Sequence, residues 1–164
     1  MAGALTKAGR YQIVAELGRG SMGVVYQGFD PVIGRVVAIK TILTEGLSTA
    51  EFEEYKTRFQ REAQAAGLLN HPNIVTVYDF GEDNGVLYLA MEFLEGKSVQ
   101  TLVEEQNILP VETIIPMYEQ VCSALDSAHT HKIVHRDIKP ANIMILKSGL
   151  VKVCLLYTSD AADE

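Results

Sequence analysis

Apolar and polar positions change rhythm several times along this chain, and each rhythm predicts an element. Residues 1–10 are small and polar with no sustained pattern, a leader. From Tyr11 β-branched and aromatic residues gather in strand-length runs over 11–17 and 24–29, on either side of a glycine-rich turn. A third run covers 35–43, after the turn signals Asp30-Pro31 and Gly34. Spacing then becomes helical: Phe52, Tyr55, Phe59, Glu62, Ala66 and Leu69 recur at three and four residues, predicting a helix over 50–69. Asn70 and Pro72 mark its end. Strands over 74–80 and 86–93 follow, joined by a turn at 81–85.

Past Gly96 the pattern is mainly helical. A short helix is predicted over 98–106 with Ser98 as its cap. A longer one covers 111–130, its apolar face running Ile114, Tyr118, Val121, Leu125 and Ala128, with Pro116 inside at the cost of a hydrogen bond. Short strands over 143–146 and 150–153 flank the turn Lys147-Ser148-Gly149. The order is five strands with one inserted helix, then a helical part, with the change near Gly96.

Composition narrows the class. The chain has 164 residues, 48% hydrophobic and 21% charged, and a net charge of -7. That suits an ordinary globular core and disfavours nucleic acid as a partner, which would call for a basic stripe. Two cysteines, Cys122 and Cys154, suggest a reducing compartment rather than a disulfide framework. No signal peptide is visible and no run reaches membrane-span length, so no membrane contact is expected within these residues.

Three motifs carry chemistry. Gly18-Arg19-Gly20-Ser21-Met22-Gly23-Val24 lies between two strands. Such glycines let backbone N–H groups approach a polyphosphate, although a plain hairpin turn would read the same way. A dinucleotide loop is disfavoured, because strand-like Val24-Val25-Tyr26 follows where a helix should open. In Val37-Ala38-Ile39-Lys40 a lysine ends an apolar strand, either as a snorkelling edge residue or as the partner of a helix carboxylate. Glu62 is the candidate, since a carboxylate on an inward helix face needs a partner. The third motif is His135-Arg136-Asp137-Ile138-Lys139-Pro140-Ala141-Asn142. Its fixed positions arise by chance in roughly one chain in ten thousand of this size.

Together these stretches resemble the signature set of the protein kinases, over residues 11–153. Lys139 resembles the Ser/Thr kinases rather than the tyrosine kinases, and the wording around Leu69–Val75, Met91–Gly96 and Lys139–Ile145 is most similar to bacterial members. The resemblance implies an α+β, two-lobe protein-kinase-like fold. A five-stranded antiparallel N-lobe with one helix would span 11–95, and the start of a mainly helical C-lobe 96–153. It implies ATP and Mg2+ as cofactors and a protein substrate with a Ser or Thr acceptor. Gly18, Gly20 and Gly23 would cover the phosphates, with Leu17, Arg19, Ser21, Met22 and Val24 beside them in the cofactor-binding loop. Lys40, paired with Glu62, would hold the α- and β-phosphates. Val25, Ala38 and Met144 would sandwich the adenine, with Met91 as gatekeeper and the backbone of Glu92 and Leu94 reading its edge. Asp137 would accept the substrate hydroxyl proton, Lys139 steady the transferred phosphoryl group, and Asn142 hold a magnesium. Arg136 resembles the arginine that answers a phosphate on the activation loop. The resemblance places the domain in the cytoplasm, where ATP is, while relatives of this type often continue through a membrane span.

The pattern breaks at the end. Leu155, Leu156 and Tyr157 stand where the family has Asp-Phe-Gly. Residues 154–164 resemble instead the read-through translation of a sequencing-library adapter, a non-native tail. A chain ending so is expected to lack activity, with pseudokinase or nucleotide-binding module as the alternative for the parent.

Overall fold

The computed structural model describes residues 5–20, 23–42, 44 and 46–154. They divide into two compact units. Met1–Gly67 with Val77–Phe93 form one, and Leu68–Thr76 with Leu94–Glu164 the other. The first lobe expected from the sequence was continuous over 11–95. The observed division instead assigns 68–76 to the second unit.

The first unit is an antiparallel sheet with one helix. Its strands are β1 (Lys7–Ala8), β2 (Tyr11–Gly20), β3 (Gly23–Asp30), β4 (Arg35–Ile42), β5 (Val77–Asp83) and β6 (Val86–Glu92), in spatial order β1-β2-β3-β4-β6-β5. The five expected strands are present, and the sixth comes from the leader. Gly9, at φ +57°, turns the chain so that Ala8 pairs with Tyr11. A side chain at Gly9 would strike the Tyr88 hydroxyl, so the turn needs glycine for space as well as for φ. An apolar core of Ala8, Tyr11, Val37, Ile39, Tyr88 and Ala90 lines one sheet face. A polar cluster ties its edge: Arg10 bonds Asp30 and approaches Asp79, Tyr11 donates to Asp79 at 3.0 Å, and the Gly9 N–H donates to Asp83 at 2.8 Å. Asp30 is fully buried. Burial alone would raise its pKa; the N–H groups of Val32 and Ile33 and the charge of Arg10 outweigh that and hold it below the ordinary carboxylate range.

Helix α1 (Thr49–Gly67) opens with a capping box. The Glu51 N–H donates to Ser48 Oγ, and the Ser48 N–H returns to the Glu51 carboxylate at 2.8 Å. It buries Phe59, Ala63 and Ala66 and packs along β5. The helix stops at Gly67, two residues earlier than the pattern predicted, because Leu69 turns into the core of the second unit. Ile74 and Val75, expected in a strand with Phe80, bridge to Val153 of that unit instead.

The second unit contains β7 (Gly96–Ser98), α2 (Val99–Gln106), α3 (Val111–Thr130), a 3-10 turn (Pro140–Asn142), β8 (Ile143–Leu146) and β9 (Val151–Val153), with sheet order β7-β8-β9. Ser98 caps α2 as expected, accepting from the Thr101 N–H at 3.0 Å. Helix α3 matches its predicted bounds, and its predicted face holds at Val121, Leu125 and Ala128 but not at Ile114 and Tyr118. The core takes Val121, Ala124 and Ala128, with Met117 and Leu125 beside it. Tyr118 stays 67% exposed and Ile114 36%, because the half of α3 that holds Pro116 runs past the small core of the described residues.

Candidate active site

Each unit carries its own set of candidate residues. In the first, register decides which side chains share a face. Lys40 of β4 sits opposite Val25 of β3 and Leu89 of β6, and Ala38 sits opposite Gln27 and Met91. Because alternate residues share a face, Val25, Ala38, Lys40 and Met91 lie on one side of the sheet. Val24 is paired with Thr41 on the side opposite, 3% exposed, so its contribution to the glycine-rich hairpin is made by backbone.

That hairpin is the turn from β2 to β3, with Gly18 opposite Val25, Arg19 opposite Val24 and Gly20 opposite Gly23. Ser21 and Met22 lie outside the described residues. The three glycines are needed for different reasons. At Gly23 a Cβ would lie 1.8 Å from the Thr41 carbonyl oxygen, so the fold itself demands glycine. At Gly18 and Gly20 a Cβ would meet nothing within 4 Å among the described residues, and neither has a positive φ. Nothing among the described residues requires glycine there. Close approach by something outside them would. Leu17 is half-exposed beside them, and Arg19 is paired with Glu16 at 2.9 Å on the surface. Glu62 is half-buried on α1, one residue before buried Ala63, as its helical spacing implied.

In the second unit, hydrogen bonds converge on a loop. Arg136 takes a left-handed φ of +62°, uncommon for a non-glycine residue. It is exposed, while His135 before it is buried and Asp137 after it half-buried. The Asp137 N–H donates to His135 Nδ1 at 3.2 Å, so the ring's proton is on Nε2, which donates to the Cys154 carbonyl at 2.6 Å. The Asn142 amide donates to the Asp137 main-chain oxygen at 2.9 Å and to its Oδ2 at 3.2 Å. The Lys139 ammonium lies 2.7 Å from the same Oδ2. These contacts, the Lys139 hydrogen bond foremost, hold the Asp137 carboxyl below its ordinary range despite partial burial. It is a carboxylate at neutral pH, aimed and charge-balanced.

Met144 of β8 pairs with Ser98 and Lys152, on the sheet face opposite the core residues Ile143 and Val153. Glu92 ends β6, and Leu94 is where the chain enters the second unit. Asn142 closes the 3-10 turn, and its two side-chain bonds run through Nδ2, which leaves its carbonyl oxygen as a hard ligand. Among the described residues no cluster of three His, Cys, Asp or Glu could hold a metal ion.

Two residues of the second unit escaped the sequence reading. Asn73 and Gln120 bond each other at 2.8 Å and both bond β9. In the sequence Asn73 stood only within Leu69–Val75, a stretch similar to bacterial members of the family, with no role of its own.

One unit thus holds a glycine hairpin in the sheet that carries Lys40, and the other a loop with an oriented, ionised Asp. A protein kinase domain model matches residues 11–156, and the chain belongs to the protein kinase family. Its relatives are bacterial serine/threonine-protein kinases. It is 42% identical over 146 residues to PrkC of Bacillus subtilis, covering 89% of this chain and 22% of that protein. It is 43% identical over 148 residues to a probable PknB of Lactococcus lactis, with 89% and 23% covered. The kinase domain of Mycobacterium tuberculosis PknI superposes with a TM-score of 0.76 at 33% identity, over 94% of this chain and 62% of that one. The chain thus spans less than a quarter of those two full-length relatives. Among the described residues no helix is long and apolar enough to cross a membrane.

Proposed function

We propose that the protein bearing this chain transfers the terminal phosphoryl group of ATP to Ser or Thr hydroxyls of protein substrates. The observation that carries the reading is the Asp137 carboxylate fixed by Lys139 and Asn142. Both neighbours act on Oδ2, so Oδ1 is the oxygen offered to a substrate hydroxyl. Asp137 orients that hydroxyl and takes its proton, a role that demands an ionised carboxylate. Lys139 supplies the positive charge that a migrating phosphoryl group needs. The bare glycines at 18 and 20 fit a nucleotide's phosphates, with Lys40, supported by Glu62, as their cation. On the first unit Val25, Ala38 and Met91 offer apolar surface to an adenine, whose edge the backbone of Glu92 would read.

Magnesium fits less well. Asn142 offers one oxygen, but a bound Mg2+ usually takes one or two carboxylates, and Leu155 at the family's second position offers none. The set in this chain is incomplete. We therefore expect the 164-residue chain to transfer no phosphate; the second reading, for the parent, is a nucleotide-binding protein without catalysis.

The test is to reread the coding DNA across the Val153 codon and assay the full-length product with ATP, Mg2+ and a generic basic protein. A frame continuing as Asp-Phe-Gly with phosphate on Ser or Thr supports the kinase reading. Nucleotide binding without transfer by the full-length protein overturns it for the second reading.

A further inference from the structure

The bonds around β9 form a continuous path to the catalytic loop. Gln120, on α3, receives two N–H donors on one oxygen: Asn73 Nδ2 at 2.8 Å and the Val151 main chain at 2.9 Å. Asn73, 93% buried, also donates Nδ2 to the Val151 carbonyl at 2.9 Å. Its own carbonyl accepts from the Val153 N–H at 2.8 Å. The amide pair therefore holds the Val151 end of a strand only three residues long, and the main chain of Asn73 and Val75 holds its Val153 end. Directly after it, the Cys154 N–H donates to the Asn142 carbonyl at 3.0 Å, and the Cys154 carbonyl takes the His135 Nε2 proton at 2.6 Å. His135 in turn accepts from the Asp137 N–H.

We infer that Gln120 and Asn73 are positioning residues for the catalytic loop, acting through β9 and the main chain of Cys154 on Asp137 and Asn142. The physical reason is that both main-chain groups of Val151 are bonded to this pair. A buried amide that loses its partner carries its full desolvation cost, and the pairing of β9 with β8 and with Ile74 and Val75 does not replace the two bonds of Val151. Disorder at Val151 is therefore passed to the next peptide, whose two main-chain groups fix both ends of the loop. The catalytic meaning of this path rests on the kinase reading. Its physical test does not.

That test is residue-resolved amide exchange on the 164-residue chain, with the imidazole nitrogen shifts of His135 as a second readout. In Gln120→Leu, exchange should speed about tenfold at Val151, and by a similar factor at Cys154 and Asp137. The His135 ring should lose its fixed Nε2–H tautomer. The Asn107 N–H, bonded to Val103 in α2, should keep its rate. Gln120→Glu retains the acceptor oxygens and should restore protection at Cys154 and Asp137. Should Gln120→Leu fail to fold, Asn73→Ser cuts the same link from its other end and carries the same expectation. Faster exchange confined to Val151, with Cys154, Asp137 and the His135 ring unmoved, overturns the inference. So does uniform acceleration that includes Asn107, which would make the pair merely structural. Coupled exchange in a protein whose full-length form transfers no phosphate would refute the kinase reading and leave this one standing.

Discussion

The two units prepare their candidate residues by different means. In the first, register does the work: β3, β4 and β6 place Val25, Ala38, Lys40 and Met91 on one face, and the core packs Val37, Ile39 and Ala90 on the other. Its polar ties, Arg10 with Asp30 and Tyr11 with Asp79, sit at the sheet edge, away from that row. In the second, the candidate residues are themselves the tied groups, since Asp137, Lys139, Asn142 and His135 bond one another or the chain beside them. The first unit presents a shaped surface, while the second presents a preorganised charge. Damage should accordingly show as lost affinity in one and lost rate in the other.

The largest expected effect breaks that contrast at its chemical end. Asp137→Asn in the full-length protein keeps the side chain's size but removes the proposed base, and kcat should fall about a thousandfold. ATP affinity, measured by calorimetry, should hold within a factor of about three. A kcat within tenfold of the parent would show that the ionised Asp is not the base. The next test works within the glycine hairpin. Gly23→Ala forces a Cβ onto the Thr41 carbonyl and should cost about 3 kcal/mol by denaturant unfolding. Gly18→Ala meets open space and should change stability by less than about 0.5 kcal/mol while weakening ATP binding. Equal destabilisation by both would mean the hairpin glycines serve the fold alone.

What the sequence disclosed follows the range of the interactions involved. Helix α3 and strand β8 could be read to their end residues, because a period sustained over many positions, or a β-branched run closed by a turn, is a local signal. Strand β1 could not, since two residues carry no period and their pairing depends on Tyr88 filling the space above Gly9. Ile74 and Val75 were correctly apolar but wrongly partnered, as nothing local says that Val153 competes for them. On α3 the stripe held from Val121 to Ala128 but not at Tyr118, which completes it in sequence yet stays 67% exposed in the described fold. The loop residues were legible because motif and site coincide within eight positions. Gln120 was not, since its contact with Asn73 spans 47 residues and an amide on a helix has no pattern to betray it.

The smallest expected effect sharpens the account of the second unit. Lys139 is the leading cause of the depressed pKa of Asp137, with Asn142 and His135 contributing less. A carboxylate with a lowered pKa in the folded state stabilises the fold above its unfolded pKa, and that stabilisation is lost as pH falls through the folded value. Catalysis follows the same sign, because the base works only when ionised. The acid limb of the full-length protein's pH–rate profile should therefore lie below the ordinary Asp range. In Lys139→Met the hydrogen bond and the charge go together, so the carboxyl should titrate higher and the acid limb should move toward neutral pH. In Arg136→Met, an exposed neighbour absent from the causes of the shift, the limb should not move. An unmoved limb in Lys139→Met would mean that another group sets it, and that the short ion pair contributes position rather than charge.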